Sequence, residues 1–131
     1  MSNLIESLVA EHANIVKLLL RVSELGIDTG EGRKALMTAK TNLLAHLDCE
    51  DEYLYPVLLE VSEDDPILAD ALEFFHEDIA FVLKRAPAFF DKYSDATSDL
   101  GFEQDFKALA NLLLDRIRKE ESIIYKMYDQ I

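Results

Sequence analysis

His46-Leu-Asp-Cys-Glu50-Asp-Glu-Tyr-Leu-Tyr55 aligns without gaps on Arg116-Ile-Arg-Lys-Glu120-Glu-Ser-Ile-Ile-Tyr125. A second pair aligns in the same way, His12-Ala-Asn-Ile15-Val-Lys-Leu-Leu19 on His76-Glu-Asp-Ile79-Ala-Phe-Val-Leu83. The chain therefore reads as two related halves. Each offers one histidine and then a His/Arg-x-x-x-Glu. A complete set would hold four His and two Glu, but the chain has 3 His, and Arg116 stands where the pattern calls for the fourth.

Both repeats carry apolar residues at the three-and-four spacing of one helix face. That spacing predicts four helices: about Asn3 to Leu25, Glu31 to Val61, Pro66 to Phe90 and Phe102 to Tyr128. Gly26 and Gly30 punctuate the first loop, and Pro66 suits the first position of the third helix. Pro56 is expected to kink or loosen the end of the second helix, and Pro87 to disturb the end of the third. Asp91 to Gly101 is polar and reads as a loop. No stretch alternates with period two. The fold class is all-α, an up-down-up-down antiparallel four-helix bundle, with residues 1–131 as a single domain.

Depth along the helices brings the polar residues together. His12 lies about 13 residues before the end of its helix and His46 about 15 after the start of the next, at about 1.5 Å rise per residue. The same count aligns Glu50 with His76, and His76 with Arg116. His12, His46, Glu50, His76, Arg116 and Glu120 all fall on the expected inward stripes, in one layer. A single histidine on an apolar face is ordinarily a satisfied core residue, and His-x-x-x-Glu alone is common on helices. Several such residues converging in a core are different, because unpaired buried carboxylates are destabilising by several kcal/mol. A metal explains the convergence best. The mixed nitrogen and oxygen donors suit iron, manganese or zinc rather than a thiolate-preferring ion. Cys49 reads as a packing or surface thiol, and Tyr53, Tyr55 and Tyr125 read as core or boundary aromatics.

Bulk properties bound the rest. A formal net charge of −13 argues against nucleic acid and anionic membrane as partners. One cysteine excludes an intramolecular disulfide, and no apolar run or leader-like segment is evident, so a cytoplasmic protein is expected. No nucleophile–base pair and no phosphate-cradling loop is present, so a binding protein is expected rather than an enzyme with an organic substrate.

The whole pattern resembles the hemerythrin-like, HHE cation-binding domains. The matching pieces are Glu11-His12, His46-x-x-x-Glu50-Asp-Glu-Tyr-Leu-Tyr-Pro56, Phe75-His76-Glu77 and Arg116-Ile-Arg-Lys-Glu120-Glu121. The resemblance implies a four-helix bundle with a bridged di-iron centre that binds or senses O2 or NO, or handles iron. By that resemblance His12 and His46 bind one iron, His76 binds the other, and Glu50 and Glu120 bridge. Arg116 departs from it, since a permanently cationic side chain cannot ligate a metal. A di-iron centre is the leading expectation, with one metal or none as the alternatives that Arg116 opens. Two further readings stand beside it: a metal-depleted bundle serving as an interaction module, and a di-iron oxidase or peroxidase.

Overall fold

A computed structural model describes residues 2–93 and 100–131, with the side chain of Leu100 left aside. Among the described residues, six α-helices and two π turns make four helical rods. The first is α1 (Asn3–Leu25). The second joins α2 (Gly30–Cys49), a π turn (Glu50–Leu54) and α3 (Tyr55–Ser62). The third is α4 (Pro66–Lys92). The fourth joins α5 (Leu100–Lys119), a π turn (Glu120–Ile124) and α6 (Tyr125–Asp129). No strand occurs among the described residues, and none of their helices is long and apolar enough to cross a membrane. Of the expected loop at 91–101, residues 94–99 lie outside the described residues, while its two ends belong to α4 and α5.

Local chemistry sets the helix starts. Ser2, Thr29 and Asp65 each use a side-chain oxygen to accept a backbone N–H from the first turn, at 3.0–3.2 Å. Gly26 ends α1 with φ of 69°, a left-handed conformation that costs glycine little. A Cβ at Gly32 would collide with the Gly26 carbonyl, so this close return of α2 onto α1 needs glycine.

Pro87 does not end α4, which runs on to Lys92. The carbonyl released by the missing N–H belongs to Leu83, whose side chain is on the exposed face. Pro56 likewise sits inside a rod that continues to Ser62, just past a π turn.

Two apolar clusters fill the interior. One gathers Ile15, Leu19, Leu36, Leu43, Phe89, Phe106 and Leu113. The other gathers Ile5, Leu8, Leu54, Leu58, Leu72, Phe75 and Ile124. Each fully buried side chain of this size contributes about 1.5–3 kcal/mol relative to exposure. Between the clusters lie the only buried polar side chains recorded among the described residues: His12, His46, Glu50, Arg116 and Glu120.

Candidate metal centre

Both π turns begin on a buried glutamate. Tyr55 N–H bonds back to the Glu50 carbonyl and Tyr125 N–H to the Glu120 carbonyl, a five-residue step instead of four. The extra residue rotates everything that follows. Regular helical spacing puts Tyr53 and Val57 on the inward stripe, but they are exposed, and Leu54 and Leu58 are buried in their place. In the fourth rod Ile123 is exposed, whereas Ile124 and Tyr125 are buried. The same step brings Tyr55 over Glu50 and Tyr125 over Glu120, so that both phenols reach the polar layer. Tyr125 is thus a core aromatic and Tyr55 a boundary one, as expected, and both in addition hydrogen-bond the glutamates, whereas Tyr53 is exposed. The Glu-x-x-x-x-Tyr spacing shared by the two halves was the signal for those bonds.

His12, His46, Glu50 and Glu120 each offer one ligand atom, and these atoms all lie within 4.8 Å of one another. His12 Nε2 is 3.1 Å from Glu120 Oε1, and His46 Nε2 is 3.4 Å from Glu50 Oε1. The outer ring nitrogens are held by carboxylates. His46 Nδ1 meets Glu11 Oε1 at 2.8 Å, and His12 Nδ1 meets Glu121 Oε2 at 3.0 Å. A carboxylate on Nδ1 fixes the ring and, with a cation at the centre, favours the tautomer that presents Nε2 to it as a lone-pair donor. His46 Nε2 is buried with no hydrogen-bond partner. Two imidazole donors and two carboxylates thus surround one point, with an orphaned nitrogen among them. A cation at that point satisfies all four, so the residues fit a metal.

Tyr125 closes the cluster. Its hydroxyl lies 2.8 Å from Glu50 Oε2, 3.0 Å from Glu120 Oε1 and 3.2 Å from His12 Nε2. Burial, then the nearby Glu120 and Glu50 charges, push the phenol pKa up, so the hydroxyl is a donor. Tyr55 is raised by the same causes and donates to Glu120 Oε2 at 2.8 Å.

Arg116 is buried beside this cluster. Its Nη2 donates to Glu120 Oε2 at 3.1 Å and to the Tyr55 hydroxyl at 3.3 Å. Its Nη1 lies 3.6 Å from Asp78 Oδ2, and its Cζ lies 6.0 Å from the Phe75 ring centroid. Glu120 therefore turns Oε1 to the histidines and Oε2 to the guanidinium.

The two glutamates divide their charge. Burial first, then the hydrogen bond and negative charge of Glu120, push Glu50 up to about 10, against the Tyr125 hydrogen bond and the Arg116 charge. Burial opposes ionisation of Glu120 as well. Contacts with His12, His46 and Glu50, and the Arg116 charge, outweigh it and hold Glu120 well below the usual carboxylate range. Without a metal, Glu50 carries the proton and Glu120 the charge.

His76 is not inward. It is exposed and borders a cleft between α3 and α4. The α4 stripe that fixes the rotation is Leu68, Leu72, Phe75, Ile79, Val82 and Ala86. His76 lies about 100° past Phe75 on that wheel, and Leu83 is turned out with it. On α4 it is Phe75 that is buried, with the Arg116 Cζ 6.0 Å from its ring centroid. The structure thus brings together four of the five expected ligands plus Arg116, and leaves His76 outside.

Comparison with curated proteins and with solved structures gives no match. The sequence model of the Hemerythrin HHE cation binding domain matches residues 3–128. With that match over nearly the whole chain, and with the buried His/Glu cluster at its centre, this protein belongs to the hemerythrin HHE cation-binding family.

Proposed function

We propose that this chain is a one-metal member of its family, holding a single iron on His12, His46, Glu50 and Glu120. The reading assumes an antiparallel up-down-up-down bundle, which the rod lengths and short connections favour. The observation that carries it is the division of Glu120. A carboxylate expected to bridge two cations has one oxygen at the imidazoles and the other on a guanidinium. Arg116 supplies the second positive charge permanently, and the exposed His76 leaves no imidazole on α4 for a second ion.

Bound iron supplies reversible electron and ligand chemistry that protein side chains lack. The protein's part is placement. Glu11 and Glu121 orient the imidazoles, Tyr125 holds Glu50, and Tyr55 with Arg116 holds Glu120. A void of about 20 Å³ lies among these residues, bordered by His12, His46, Glu50, Glu120 and Arg116 and, on its apolar side, by Ile15, Leu43, Val82 and Leu113. A void this size accepts about one water-sized body, which suits the ion itself, and the apolar wall beside it supports a small uncharged ligand such as O2 or NO next to the ion. Binding or sensing such a ligand is the role we infer, in a cell interior that keeps Cys49 reduced.

The test is ligand addition to the iron(II)-loaded protein. NO should change the visible spectrum at one equivalent per chain. Crowding that apolar wall with Leu113→Phe should suppress that change while metal content holds. A spectrum indifferent to NO, or equally responsive in Leu113→Phe, would count against this reading.

A further inference from the structure

α4 carries large apolar side chains on its outer side. Phe74 is 54% exposed and Phe81 57% exposed. Exposed Ala88 follows at the same seven-residue spacing. That spacing is the stripe of a helix that pairs with another helix. Beside it a groove of about 690 Å³ opens between α4 and α5, floored by Ala80, Phe89 and Leu109 among others. Charge is divided along the same helix. Asp70, Glu73 and Glu77 lie in its first half, and Lys84, Arg85 and Lys92, with Asp91 the one acid, in its second, all exposed.

We propose that α4 is a self-association surface, on which a second copy of this chain docks antiparallel about a two-fold axis at Phe81. A two-fold contact is self-complementary, so one helix must supply both sides of every pair. In this register Phe81 meets the partner's Phe81, and Phe74 enters the groove beside the partner's Ala88. Glu77 faces the partner's Arg85, and Asp70 lies opposite the partner's Lys92, which is already paired with Asp105 of its own chain at 3.0 Å. The acidic half of each helix thereby meets the basic half of the other. Such complementarity is what a chain of net charge −13 needs, since two copies otherwise repel. Arg85 already lies over the Phe81 ring, 5.4 Å from its centroid, and so stands at the axis ready for Glu77 of a second copy. The surface lies on α4 away from the cleft that His76 borders, and its use does not depend on metal.

Sedimentation of the full chain over about 1 μM to 1 mM tests this, because a contact built on one helix pair is expected to be weak. The mass should rise from 14.9 kDa toward twice that value as concentration increases. Phe81→Glu should stay monomeric throughout with an unchanged helical circular dichroism spectrum. Glu77→Arg and Arg85→Glu should each weaken association about tenfold, and the two together should restore it within about threefold. A wild-type chain that remains monomeric at about 1 mM overturns the proposal. So does a dimer that survives Phe81→Glu, or a double exchange that fails to rescue. A monomer whose groove instead takes octanoate through Lys84 and Arg85 gives this face to a small amphipathic anion, and also overturns it.

Discussion

Arg116 holds Glu120 by the oxygen that points away from the histidines, Nη2 to Oε2 at 3.1 Å. The pair sits four residues apart on one rod and is almost wholly buried. Burial works against the charge on Arg116, but Glu120 foremost, with Glu50 and Asp78, more than offsets it. The guanidinium therefore remains a cation inside the bundle. Its removal should leave Glu120 as an uncompensated buried carboxylate. Arg116→Met is expected to destabilise the metal-free protein by about 3–5 kcal/mol in urea unfolding. A loss below about 1 kcal/mol would mean that the pair is energetically replaceable.

The shared proton makes metal binding depend on pH. Glu50 lies above its ordinary 4.5, at about 10, so the folded metal-free chain keeps a proton that the unfolded chain releases. The stability from this group is fully present below about 4.5 and is lost as pH rises toward about 10. Glu120 has the opposite sign: its contribution is present above the ordinary carboxylate value and is lost as pH falls through its lowered one. A metal that takes Glu50 must displace its proton. About one proton per metal should be released at neutral pH, seen as a buffer-dependent binding enthalpy, with affinity rising as pH rises. Binding without proton release would show that Glu50 is already ionised or is not a ligand.

His46 and His76 should separate cleanly. His46→Ala removes an orphaned inward nitrogen and is expected to abolish stoichiometric metal binding. His76→Ala alters an exposed side chain and should leave metal content and thermal midpoint unchanged. Loss of metal in His76→Ala would require α4 to rotate when metal is bound.

Glu11 and Glu121 meet the outer nitrogens of His46 and His12. Glu11→Gln and Glu121→Gln should each lower metal affinity about 10–100-fold in competition with a chelator, with folding preserved. Unchanged affinity in both would mean that the imidazoles are oriented by packing alone.

The four rods were legible because the three-and-four apolar spacing is long and strongly amphipathic. The inward histidines, glutamates and Arg116 were legible from the repeat and the depth count. What the sequence concealed was rotation. A π turn at Glu50 and another at Glu120 advance the stripe by one residue, which hides Leu58 and Tyr125 from a regular wheel and exposes Val57 and Ile123. His76 was misplaced by a neighbouring ambiguity. Phe75 and His76 both fit an inward stripe by spacing, and only packing against the other rods decides for Phe75.

The central claim is that Arg116 occupies the place of a second cation. Elemental analysis of the full chain, produced and purified with excess iron and read beside its visible spectrum, tests it most directly. One iron per chain without an oxo-bridge charge-transfer band is the predicted result. Two irons per chain with that band would contradict it.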